Sequence, residues 1–133
     1  MSGENVEIVR GAFEAFNRGD HDAAFKDLTP NFEYVPSGVI PGVTEIQRGP
    51  DGMKRFVGWL LDQFDDVRID VNEAFAQDDR VFVSITNRGR GKRSGAETSW
   101  DVCVVFTMQG GKAVRGEAFR TRAQALEAAG FAE

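Results

Sequence analysis

Near Val67 the hydrophobic period of this chain changes. Up to that point apolar residues recur at helical spacing: Val6, Val9, Phe13 and Phe16, widened by Ile8, Ala12 and Ala15, then Met53, Phe56, Val57, Leu60 and Phe64. From Val67 the period is two, with Val67, Ile69 and Val71 alternating with Arg68, Asp70 and Asn72. A helix cannot present a two-residue alternation to a core, nor a strand a 3.6-residue one. The chain therefore places helices in its first half and strands in its second, which predicts an α+β fold.

The local signals divide these halves further. Ser2 is positioned to cap a first helix, which Gly19 ends, and Asp20 caps a short second helix over 21–28. Phe32 and Tyr34, alternating with Glu33 and Val35, predict a strand. The stretch from Pro36 to Pro50 holds all but one of the four prolines and reads as a long connection. Pro50 suits the first turn of a third helix. Gln77-Asp78-Asp79 and Gln109-Gly110-Gly111-Lys112 predict hairpin turns, and Arg88–Gly95 a polar loop. Thr121 with Gln124 matches a capping box for a short C-terminal helix ended by Gly130. The expected architecture is a curved antiparallel sheet wrapped on three helices of the N-terminal half. Such a cone, open at one end, is a pocket. With 133 residues the chain is expected to form one domain, 1–133.

Composition narrows the function. The net charge is -5, which disfavours nucleic acid and anionic membranes as partners. One cysteine, Cys103, excludes an intrachain disulfide, and with one histidine a closed zinc site is not expected. No metal or other cofactor is predicted. The segment from Met1 to Asn5 does not read as a signal peptide, and no apolar run spans a bilayer, so a cytoplasmic protein is expected. Eleven Phe against one Tyr imply a very full core or an aromatic-lined cavity.

Several short motifs occur in a fixed order: Glu4-Asn5-Val6-Glu7 leading to Phe16-Asn17-Arg18-Gly19-Asp20, then Arg48-Gly49-Pro50-Asp51-Gly52, Asp79-Arg80-Val81, Gly89-Arg90-Gly91 with Ser94-Gly95, Gly111-Lys112, and Ala125–Gly130. In this order the chain resembles the SnoaL-like branch of the nuclear transport factor 2-like superfamily, which includes polyketide cyclases and ketosteroid isomerases. The resemblance covers nearly the whole chain and implies the cone fold. It implies a small-molecule pocket, either in a binding protein or in a cofactor-independent enzyme of isomerase, cyclase or hydrolase type. The alternative is a non-catalytic dimeric interaction module with a closed cavity.

The resemblance also sorts side chains. It places Trp100, Val102, Val104, Phe106 and Met108 on the pocket side of the long strand, with Phe32 and Tyr34 on the first strand and Gly116, Ala118 and Arg120 on the last. Gly116 and Ala118 leave volume that a ligand or Phe side chains could fill. Expected ligand contacts are Tyr34, Trp59, Trp100, Val102, Val104, Phe106 and Arg120, around a small hydrophobic molecule. Tyr34 and Arg120 are its polar handles, Trp100 an aromatic wall and Trp59 a rim. Alignment of the ketosteroid isomerase pattern on Asn17-Arg18-Gly19-Asp20 puts its tyrosine at Ala12, its base at Pro36 and its oxyanion acid near Val102, none of which can do that chemistry. The polar strand positions of a cyclase fall on apolar residues such as Val104. Asp101 is the remaining catalytic candidate, although its parity faces it outward. His21, at the start of the second helix, reads as surface. The basic run Arg88–Arg93 reads as a solvated hairpin end, able to lean over the mouth. Outward-facing Cys103 and Val105 form an apolar patch that predicts a homodimer.

Overall fold

The computed structural model describes residues 2–36 and 44–131. Helix α1 (Ser2–Asn17) is followed by the short α2 (His21–Phe25), strand β1 (Leu28–Val35), the two-residue β2 (Gln47–Arg48) and helix α3 (Gly49–Gln63). Four long strands complete the sheet: β3 (Phe64–Gln77), β4 (Arg80–Gly91), β5 (Glu97–Gln109) and β6 (Lys112–Phe119). Helix α4 (Arg122–Ala129) closes the described chain.

The sheet runs β2-β1-β6-β5-β4-β3. Its neighbours are antiparallel except β1 and β6, which are parallel. The sequence pattern misses this exception because parallel and antiparallel pairing alternate side chains alike. Extra residues on β3, at 66–67 and at Asn72, break its register with β4, and Asp66 adopts a φ of 55°. Such bulges bend a strand and raise its twist, curling the sheet around α1 and α3.

The local signals act where the sequence puts them. The Asp20 carboxylate accepts from the Ala23 N–H, and Gly19 takes a φ of 81°. Gly110 and Gly111 both have positive φ, as a two-residue hairpin turn requires. The Thr121 hydroxyl accepts from the Gln124 N–H, and Gly130 ends α4 in the left-handed region. Gly49 opens α3 at φ 68°, where a Cβ would stand 2.7 Å from the Pro30 carbonyl oxygen. Three boundaries differ from expectation. Helix α2 stops at Phe25 because β1 recruits Leu28 beside Ala113. Strand β4 continues to Gly91, so much of the expected polar loop is ladder. The long connection falls in part on residues 37–43, outside the described residues, and its end forms β2.

Two apolar layers result. The concave face of the sheet packs with α1 and α3, and Val81, Val83 and Ala118 are fully enclosed there. The convex face carries a second cluster, in which Ala125, Leu126 and Ala129 of α4, with Phe131, cover Phe82, Cys103 and Val105. The patch that predicted a homodimer is thus covered by the chain's own α4. Cys103 and Val105 are each 7% exposed, and the dimer expectation loses its basis. No helix among the described residues is long and apolar enough to cross a membrane.

Candidate functional site

Between the helices and the concave face lies a cavity of about 150 Å³. Helix α1 turns Val9, Ala12, Phe13 and Phe16 toward it, the stripe set by its 3.6-residue period. Helix α3 contributes Met53, Phe56, Val57 and Leu60 by the same rule. Alternation on β5 brings in Trp100, Val102, Val104, Phe106 and Met108, and β1 adds Phe32 and Tyr34.

The walls are held by ring contacts and one polar clamp. Phe13 meets Phe106 edge to face at 6.4 Å, Tyr34 packs on Phe56 at 5.7 Å, and Trp100 on Phe64 at 5.5 Å. The Asn17 side chain donates to the Ile69 carbonyl at 2.8 Å and accepts from the Ile69 N–H at 2.9 Å. This fixes the end of α1 to β3, where Ile69 lines the cavity.

Polar groups on the lining are few. The half-buried Tyr34 phenol has its pKa raised to about 12 by burial. The Asn87 amide, on β4, is 7% exposed. Trp100 carries a buried Nε1–H with no hydrogen-bond partner among the described residues. Asp27 supplies the one carboxylate among the described lining residues, 3.8 Å from Lys26 and 3.9 Å from Lys112. No Lys, Arg or His is on the described lining.

The expected contacts therefore divide. Tyr34, Trp100, Val102, Val104 and Phe106 share the cavity. Trp59 does not: it is 41% exposed and stacks on the outer side of Phe56 at 6.3 Å. Arg120 is exposed and off the lining, because β6 ends at Phe119 and its alternation no longer sets the side chain. Asp101 is also exposed, on the convex face, where its carboxylate accepts from the Thr86 hydroxyl at 2.7 Å. No bulge on β5 turns Asp101 inward, since it pairs in register with Thr86.

The space over Gly116 is already filled: a Cβ there would lie 3.0 Å from Phe106 and 3.3 Å from Phe32. Ala118, fully enclosed, is off the lining as well. The cavity lies instead among side chains of α1, α3, β1, β4 and β5. His21 is half-buried, stacked on Phe16 at 5.4 Å, and is not on the lining. The basic run is tied down beside the β3 carboxylates. Arg88 donates to Asp70, which lowers the Asp70 pKa, Arg90 lies 3.2 Å from Asp66, and Lys92 lies 3.9 Å from Asp65.

Sequence reasoning missed Asn87 and Asp27. The signal for Asn87 was present: Val81, Val83 and Ile85 set an inward row that continues to Asn87. Asp27 had no comparable signal, because the end of α2 and the start of β1 were placed too late.

A family model described as a SnoaL-like domain matches residues 9–116. No curated protein matches the chain. Among solved structures, an NTF2-like protein of unknown function from Burkholderia pseudomallei is 24% identical, with a TM-score of 0.79 over 96% of this chain and 97% of that one. TerC, co-crystallized with polyporic acid, is 25% identical, with a TM-score of 0.79 over 93% of this chain and 96% of that one. An LEH-like epoxide hydrolase of M. tuberculosis shares the fold at 14% identity, with a TM-score of 0.72 over 95% and 89% of the two chains. The chain belongs to the SnoaL-like family and carries its cone-shaped α+β fold.

Proposed function

We propose that this protein binds a small, mostly apolar molecule inside the cone. The observation that carries this reading is the cavity of about 150 Å³, walled by aromatic and aliphatic side chains and bearing a few polar groups. A dry cavity of roughly that size and lining accepts a benzene-sized guest. Tyr34, Trp100, Val102, Val104 and Phe106 are the contacts, with the Tyr34 hydroxyl as one polar handle. TerC, of similar fold and co-crystallized with polyporic acid, supports the use of such a cone for small molecules.

Binding is favoured over proton-transfer catalysis. A general base must reach the proton it removes, and the described lining offers one carboxylate, Asp27, held beside two lysines. The test is native mass spectrometry of the purified protein and of Ala12→Phe, which adds a ring to the cavity from α1. A bound mass of small-molecule size in the wild type, absent from the variant, supports the reading. A mass retained by the variant would place the ligand elsewhere.

A further inference from the structure

We infer that Asn87 and Trp100 form one subsite, which receives an uncharged acceptor oxygen of the bound molecule. The inference rests on the reading of the cavity as a ligand site and deepens it. Asn87 and Trp100 are partners in the β4–β5 register, and both line the cavity. Side chains directly opposite on neighbouring strands start about 5 Å apart at Cβ. The amide and the indole therefore share one patch at the end of β4's otherwise apolar inward row.

Their hydrogen bonding separates them from the polar residues around them. Thr86, the neighbour of Asn87, faces the convex side and is bonded twice, accepting from Asn72 at 2.8 Å and donating to Asp101 at 2.7 Å. Asn87 is 7% exposed and lines the cavity. The buried Trp100 Nε1–H has no hydrogen-bond partner among the described residues. Buried polar groups are nearly always bonded, and an unmade bond is costly. The unpaired indole donor belongs to a residue of the cavity wall.

The chemistry of the missing partner follows from the donors. An indole N–H donates only, and the amide NH₂ offers further donors, so the partner must accept. It must also be uncharged. A buried anion needs a counter-charge, and the described lining has no cation but does have the Asp27 carboxylate. The volume limits the guest to about one ring. A ketone or ester oxygen on a single aromatic ring meets all three conditions, whereas a carboxylate on the same ring does not.

The experiment is calorimetric titration of the full chain with acetophenone, ethylbenzene and benzoate, repeated on Trp100→Phe and Asn87→Leu. Wild type is expected to bind acetophenone and ethylbenzene and to reject benzoate. Each substitution should weaken acetophenone about three- to tenfold, the worth of one net hydrogen bond, and leave ethylbenzene within about twofold. Equal losses for both ligands, or benzoate bound as tightly as acetophenone, would overturn the subsite while leaving the cavity a binding site. Binding of neither uncharged ligand by wild type would overturn the subsite together with the reading beneath it. Asn87→Leu keeps the test decisive if Trp100→Phe folds poorly.

Discussion

Asn17 closes a two-bond ring with the backbone of Ile69, donating to its carbonyl and accepting from its N–H. The pair joins residues 52 positions apart and fixes the far end of α1 to the strand that walls the cavity. Each bond contributes about 0.5–1.5 kcal/mol net, and an unsatisfied backbone group left behind costs more. Asn17→Ala should therefore lower stability by about 2–3 kcal/mol, read from urea denaturation. A change below about 0.5 kcal/mol for the alanine variant would contradict this role.

At Gly116 the contact is steric. A methyl group there would meet the Phe106 ring at 3.0 Å and Phe32 at 3.3 Å. Gly116→Ala should cost about 1–3 kcal/mol, the usual range for overpacking a filled core. A variant as stable as wild type would mean that Phe106 yields freely into the cavity.

Gly49→Ala should be worse. The position combines φ 68° with a Cβ only 2.7 Å from the Pro30 carbonyl oxygen. The left-handed conformation alone costs a non-glycine residue about 1–2 kcal/mol, and backbone cannot step aside as a side chain can. The thermal midpoint should fall further than for Gly116→Ala.

Tyr34 gives a pH signature, and it is the chain's one tyrosine. In the unfolded chain its phenol ionises near pH 10, whereas burial in the fold raises its pKa to about 12. Between these values the unfolded chain sheds a proton that the folded chain keeps. This contribution to stability is unchanged below pH 10 and falls as pH rises toward 12, by about 1.4 kcal/mol per unit. Tyr34→Phe should remove that slope. Tyrosinate absorbance should rise near pH 12 in the native protein and near pH 10 in denaturant. Coincident titrations would place the phenol in solvent.

Asp101 sets a negative expectation. The carboxylate faces away from the cavity, so Asp101→Asn should leave ligand binding unchanged within about twofold, a free-energy change of about 0.4 kcal/mol. The protein should not isomerise a β,γ-unsaturated ketone above the buffer rate. Turnover abolished by Asp101→Asn would reverse this.

The order of elements was legible because hydrophobic period and cap residues act locally. Asp20, Thr121 and the Gly110-Gly111 turn each mark a boundary through their own chemistry, while the strand expected from Val67 begins earlier, at Phe64. Strand parity likewise sorted Tyr34, Trp100 and Val102–Phe106. What failed depended on contacts far along the chain. Arg120 follows inward parity, but β6 stops one residue earlier. Cys103 and Val105 face outward as their parity requires. No local pattern told that α4 would return to cover them, because that contact joins residues distant along the chain. The Arg88–Arg93 segment read as loop because its composition is polar, while its pairing partners on β3 lie about twenty residues upstream, as the Arg68–Arg88 register shows.

The most direct test of the central claim is a heteronuclear NMR titration with ethylbenzene, run on wild type and on Ala12→Phe. Wild type should show saturable shifts centred on Phe13, Tyr34, Phe56, Val102 and Phe106, with the convex-face residues Phe82 and Leu126 unmoved, and Ala12→Phe should show little or none. No saturable shift in wild type, or the same shifts in both proteins, would contradict a ligand site inside the cone.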